Sequence, residues 1–130
     1  MARDGSGASG SPADFDFDRL ASISDGDDSF EREIARDYLI QARELVSRMT
    51  VSLDRGDAPA LRRDAHTLKG SSRTIGAEGL GAIGADLERL AGGPDLAATS
   101  AAIARGQSCL VTTERRLDEY FGSDGYRKAA

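Results

Sequence analysis

Residues 62–76 read RRDAHTLKGSSRTIG and include His66, the only histidine of the 130-residue chain. On an α-helix, which turns by about 100° per residue, small or apolar residues recur here at steps of three and four. They are Leu61, Ala65, Leu68, Ser72 and Ile75. A helix buries such a stripe, so the spacing predicts a helix with Leu68 in the core of the protein.

His66 lies away from this stripe. The residues within about 60° of it on the helix are Arg62, Arg63, Lys69, Gly70 and Arg73. We therefore expect an exposed imidazole, surrounded by four cations that can steer a negatively charged partner. Glycine costs about 1 kcal/mol relative to alanine inside a helix, so Gly70 makes sense where something large must approach the ring.

The chemistry that this pattern favours is phosphoryl transfer. A neutral imidazole is a good nucleophile near neutral pH, and nearby cations keep the ring neutral and stabilise charge on phosphoryl oxygens. The sequence has no glycine-rich nucleotide-binding loop. It therefore predicts a phosphoryl acceptor that depends on an external donor.

Residues 66–72, HTLKGSS, followed by Gly76, resemble the signature of the histidine-containing phosphotransfer (HPt) domain. The resemblance extends over about residues 17–121 in the order of helices and turns. It implies that His66 is phosphorylated, through Nε2, and that Lys69 steadies the phosphoryl group. It also implies that Gly70 admits the partner and that Gly76 sets the turn after the helix.

The resemblance also implies the partners. Members of the family accept a phosphoryl group from the aspartyl phosphate of a response-regulator receiver domain and pass it to another receiver. Some members instead are the phosphorylated domain of a chemotaxis-type kinase. We accordingly expect receiver domains and a hybrid sensor histidine kinase as partners. Mg²⁺ belongs to the receiver in this scheme, so we expect no cofactor on this chain.

Composition limits the other classes of function. Hydrophobic residues make up 39% of the chain and aromatic residues 5%, which favours a helical protein with an aliphatic core. The net charge of −5 argues against general nucleic-acid binding. The single cysteine, Cys109, excludes an internal disulfide. With no apolar membrane span or signal core, we expect a cytoplasmic protein without membrane contact, acting as a monomer.

Hydrophobic periodicity and capping residues predict the elements. A disordered segment over residues 1–14 precedes a short helix capped by Asp16, and a flexible tail covers residues 122–130. Four longer helices lie between them, over residues 28–55, 57–76, 77–91 and 95–121. The helix over residues 28–55 begins with an Asp28–Glu31 capping box and ends at Gly56. Short turns favour an all-α, antiparallel up-down-up-down four-helix bundle over residues 15–121, with the short helix across one end.

The apolar stripes predict which side chains face the core. On the helix over 28–55 they are Phe30, Ile34, Tyr38, Ala42, Leu45, Met49 and Leu53. On the last helix they are Leu96, Ile103, Leu110, Leu117, Tyr120 and Phe121. Leu39 and Val46 lie at the edge of their stripe, and Ile40 should be exposed.

We expect the partner to dock around His66, with the cations steering the encounter. Our hypothesis is that Leu39 and Val46 border the His66 surface and contact the receiver, with Arg43 at the rim. The alternative is that Leu39 and Val46 only cover the edge of the bundle.

Two other classes of function compete with phosphotransfer. The phosphoacceptor helix of an autophosphorylating kinase core usually has an acidic residue after the histidine and a proline nearby. Here Thr67 follows His66, and an ATP-binding half is absent from the sequence. The second alternative is an HPt-like helical interaction module that binds a signalling partner without phosphotransfer.

Overall fold

The computed structural model of the chain describes residues 15–122. Within this range the chain forms five α-helices and no strand, which confirms the all-α class. The helices are α1 (Phe17–Ile23), α2 (Asp28–Arg55), α3 (Ala58–Ile75), α4 (Glu78–Leu90) and α5 (Leu96–Phe121). The predicted disorder of residues 1–14, and the predicted flexibility of the tail beyond Gly122, lie outside the described residues.

The four longer helices share one core. α2 packs against α3 and α5, and α4 packs against the same two helices. Early residues of α2 meet late residues of its neighbours: the Tyr38 and Ser72 hydroxyls are 2.5 Å apart, and Tyr120 donates to Glu31 at 3.0 Å. The buried interior is mostly aliphatic, and its largest apolar side chains include Leu39, Leu45, Met49, Leu68, Leu80, Leu87 and Leu117.

The end of α3 follows the prediction and also ties α1 to the bundle. Gly76 adopts a left-handed φ of 100°, which favours glycine, and its amide donates to the Ser72 carbonyl at 3.0 Å. A Cβ at Gly76 would lie 2.5 Å from the Asp16 carbonyl oxygen. The Asp16 amide donates to the Gly76 carbonyl at 2.8 Å. Gly76 therefore allows both the turn and the contact with the start of α1.

The start of α2 differs from the prediction. Asp27, not Asp28, is the N-cap, and its carboxylate accepts the Phe30 amide at 3.0 Å. Asp28 is thus the first helical residue, which shifts Glu31 beyond the position that closes a capping box. Glu31 is instead buried and accepts the hydroxyl hydrogen of Tyr120.

The predicted edge position of Leu39 and Val46 is wrong. Their side chains are only 2% and 3% exposed. Because α2 packs against α3 on one side and α5 on the other, its buried arc is wider than a single stripe. Ile40, on the outward side of α2, is exposed as predicted.

Three predicted core residues near helix ends are exposed instead: Phe30, Leu96 and Tyr120. Phe30 and Leu96 lie in the first turns of α2 and α5, where neighbouring helices cover less of the surface. Tyr120 lies in the last turn of α5, with its ring stacked on that of Phe17 at 4.3 Å. The apolar pattern predicts which face of each helix is buried. It does not predict how far along the helix the neighbouring helices cover that face.

Glycine brings α3 and α4 close together. A Cβ at Gly84 would lie 2.7 Å from the Lys69 amide nitrogen and 3.1 Å from the Ala65 carbonyl oxygen. At Gly81, a Cβ would lie 3.2 Å from Cγ of Arg73. The two helix backbones can approach this closely only because Gly84 has no side chain, and this approach sets which α4 residue lies beside His66.

Candidate functional site

His66 occupies the exposed side of α3. Its side chain is 68% exposed, whereas the five residues of the predicted stripe are all buried. The predicted helical phase of α3 is therefore confirmed, including the buried position of Leu68.

The residue that contacts the His66 ring is Glu88, which comes from α4. Its Oε2 lies 2.9 Å from Nδ1 of His66, and its Oε1 lies 2.6 Å from Nζ of Lys69. One carboxylate thus bridges the imidazole and the ammonium group. An ionised carboxylate accepts hydrogen bonds and cannot donate them. Nδ1 of His66 must therefore be the donor in this contact, and it carries the proton.

The electrostatics of the bridge favour the ionised carboxylate. Hydrogen bonds from Lys69, and then from His66, lower the pKa of the Glu88 carboxyl below its usual 4.5. Glu88 therefore stays negative across the neutral range. With Nδ1 donating to it, Nε2 carries the lone pair of the neutral ring and makes no hydrogen bond to residues 15–122.

The sequence analysis missed Glu88. On its own helix Glu88 is one of several charged residues, and it follows the buried Leu87 directly. Its position beside His66 depends on the register between α3 and α4, which helical periodicity does not specify. The glycines of α4 were the one signal in the sequence that bears on this register, because Gly84 is the residue at which the α3 and α4 backbones approach closely.

The four cations predicted around His66 have different environments. Lys69 is paired with Glu88, and Nη2 of Arg62 donates to the Ala91 carbonyl at 2.6 Å, at the end of α4. Cγ of Arg73 packs beside Gly81. Arg63 is exposed and makes no ion pair within residues 15–122. The charged group in contact with the ring is therefore a carboxylate rather than a cation.

Gly70 leaves open space one turn after His66. A Cβ built at Gly70 has no atom within 4 Å, apart from its own helix backbone. Nothing in the fold of the described residues requires glycine here, in contrast to Gly84. A larger side chain at Gly70 would project into this open space beside His66.

The three α2 residues expected at the docking surface do not border His66. Leu39 and Val46 are buried in the core. Arg43 forms an ion pair of 2.6 Å with Glu114 of α5, on the side of α2 that faces away from α3. In this structure, Leu39 and Val46 have no surface to offer a partner, because the α2–α5 packing covers them.

Asp64 is a second residue of α3 whose role the sequence did not indicate. Its side chain is 7% exposed and accepts two hydrogen bonds from Arg48 of α2, at 3.0 and 3.2 Å. A bidentate pair of this kind fixes orientation as well as distance. It holds α2 against α3 two residues before His66.

Two classes of feature are absent from the described part of the chain. None of the helices within residues 15–122 is both long and apolar enough to cross a membrane. No group of His, Cys, Asp and Glu side chains in that range could hold a metal ion.

The fold and the site together define a helical bundle that displays one hydrogen-bonded histidine on its surface. The Hpt domain family matches residues 33–120, more than half of the chain, and the chain belongs to this family. Hpt domains act in histidine phosphotransfer within phosphorelays, where they interact with receiver domains and histidine kinases. A comparison with curated proteins gives no match.

Proposed function

We propose that this protein is a phosphorelay intermediate that accepts a phosphoryl group on Nε2 of His66 from a receiver aspartyl phosphate and passes it to another receiver aspartate. The observation that carries the proposal is the bridge from Glu88 to His66 and Lys69. It orients an exposed ring so that its free nitrogen is available to a partner.

In the proposed reaction, the Nε2 lone pair attacks phosphorus while the bond to the aspartyl oxygen breaks. The N–P bond replaces the P–O bond, and the aspartate leaves as a carboxylate with the electron pair. The proton stays on Nδ1, where the negative charge of Glu88 stabilises the cationic ring that forms. Transfer to the second receiver is the same step in reverse.

Lys69 contributes charge at the site. Its ammonium group is held 2.6 Å from Glu88, beside the ring, where it can also interact with the incoming phosphoryl oxygens. Gly70 leaves room for the receiver. We expect the receiver to supply Mg²⁺ and the acidic pocket that holds it.

The proposed architecture is the antiparallel up-down-up-down bundle, with α1 as a short additional helix at one end. The contacts of α2 and α4 with both α3 and α5 support this arrangement. So does the pairing of early with late residues in successive helices, as in Tyr38–Ser72 and Arg62–Ala91. In this arrangement His66 lies on the outer surface of α3, near the middle of the bundle.

The experiment is transfer from a phosphorylated receiver, in the absence of ATP, to the wild-type chain and to His66→Gln. We expect uptake of phosphate by the wild type only, with a label that is labile in acid and stable in alkali, as expected for a phosphoramidate. Because ATP is absent, this uptake cannot come from autophosphorylation. A wild-type chain that binds the receivers and accepts no phosphate from them would favour the interaction module instead.

A further inference from the structure

A groove between the end of α2 and the start of α3 lies beside the site. It has a volume of about 320 Å³, and the residues that give it its character are Arg48, Val51, Arg55 and Arg63. We call these four residues the basic groove. Val51 is 45% exposed, which places an apolar side chain among the three arginines.

The basic groove has an excess of positive charge. Arg48 is neutralised by Asp64, and the other carboxylate of the lining, Asp57, accepts the Ala60 amide as the N-cap of α3. Arg55 and Arg63 are exposed, and neither forms an ion pair within residues 15–122. Two guanidinium groups are thus available to an acidic partner.

The basic groove is close to His66, and its charge differs from that of the cleft between α2 and α3 towards the other end of α3. Arg63 precedes His66 by three residues, or about 4.5 Å along the helix axis, on the exposed face of α3. Towards the end of α3, the cleft between α2 and α3 is lined by residues such as Asp37, Gln41 and Thr74, and no described cation lines it. Of the two clefts, only the basic groove is complementary to an acidic surface.

We propose that a receiver domain docked on His66 extends over the basic groove, so that Arg55 and Arg63 contact its acidic side chains and Val51 is buried beneath it. This inference rests on the proposed function, because the partner is the acidic, Mg²⁺-binding receiver that phosphorylates His66. Opposite charges bring the partner to the surface, and an apolar residue inside the charged rim is typical of a protein interface. The docking surface therefore lies towards the end of α2, not at Leu39 and Val46.

The test compares Arg55→Gln with Arg115→Gln in the full chain. Arg115 is a matched control: it is exposed on α5 and makes no ion pair within the part of the chain described. Affinity for an unphosphorylated, Mg²⁺-bound receiver that exchanges phosphate with the wild type is measured at several salt concentrations. We expect Arg55→Gln to weaken binding about threefold to tenfold at low salt, with a smaller salt dependence. Arg115→Gln should bind as the wild type does, and Arg55→Lys should retain most of the affinity.

Amide shift mapping on the wild-type chain gives a second, variant-free measurement. We expect the receiver to perturb Val51, Arg55 and Arg63 together with His66. Perturbations on the side of Gln41 and Thr74, with Arg55→Gln binding like Arg115→Gln, would overturn the inference and leave the proposed function intact. If the wild type takes phosphate from no receiver, the proposed function fails first and the inference fails with it.

Discussion

At the scale of single residues, the contact between Glu88 and His66 determines what the imidazole can do. The carboxylate fixes the proton on Nδ1 and so presents Nε2, and it also holds Lys69 within 2.6 Å. The exposure of His66 was predictable from helical phase, because phase requires only the residue's own helix. The contact with Glu88 was not predictable, because it depends on how two helices are aligned.

Replacement of Glu88 by glutamine tests this contact. We expect Glu88→Gln to slow phosphorylation of His66 about tenfold, because the amide no longer favours one tautomer and no longer stabilises the cationic ring that forms. Folding stability should change only slightly, since the group lies at the surface. Stopped-flow transfer and a thermal melt measure the two effects, and equal transfer rates would show that Glu88 has no orienting role.

The pH dependence of this bridge follows from the direction of the shift. Hydrogen bonds from Lys69 and His66 hold the pKa of folded Glu88 below 4.5. Its stabilising contribution is therefore complete above pH 4.5 and is lost as the pH falls through the lower pKa of the folded state. We expect the difference in stability between wild type and Glu88→Gln to disappear in acid.

At the scale of helices, the sequence predicted the buried face and the end of a helix correctly where these depend on a single stripe or a single capping residue. The buried stripe of α3 and its end at Gly76 follow directly from the residues. The prediction failed for Leu39 and Val46, because α2 has two neighbours and periodicity predicts only the centre of the buried arc. It failed at Asp28, because Asp27 offers an equivalent carboxylate one residue earlier.

The approach of α3 to α4 can be tested by adding one methyl group. We expect Gly84→Ala to destabilise the fold by roughly 1–3 kcal/mol, because its Cβ would lie 2.7 Å from the Lys69 amide nitrogen. The displacement should also move Glu88 away from His66 and slow transfer. Gly70→Ala makes the same chemical change where nothing lies within 4 Å, and it should stabilise the helix by up to about 1 kcal/mol. Similar melting temperatures for the two variants would contradict the close approach.

At the scale of the whole molecule, α1 is part of the folded unit. Leu20 is fully buried in the core that the longer helices share, and the Asp16 amide binds the Gly76 carbonyl at 2.8 Å. The sequence predicted a short helix here with Asp16 as its cap. Its contact with the turn after α3 was not predictable from local pattern, since it joins residues 60 positions apart.

A pair of leucine substitutions measures the contribution of α1. Leu20→Ala should cost roughly 2–5 kcal/mol and shift a single cooperative unfolding transition to lower temperature. Leu96→Ala, the same change at a side chain that is 64% exposed, should cost less than about 0.5 kcal/mol. If α1 were only loosely attached, the two variants would melt at similar temperatures.

The most direct test of the central claim uses the fact that His66 is the only histidine. In a chain labelled with ¹⁵N in the imidazole, the NMR spectrum contains one pair of ring nitrogens, which can be followed before and after transfer from a receiver. We predict a proton on Nδ1 in the free protein, and a ¹⁵N–³¹P coupling on Nε2 alone after phosphorylation. A coupling on Nδ1, or phosphate uptake that leaves both ring signals unchanged, would contradict the account.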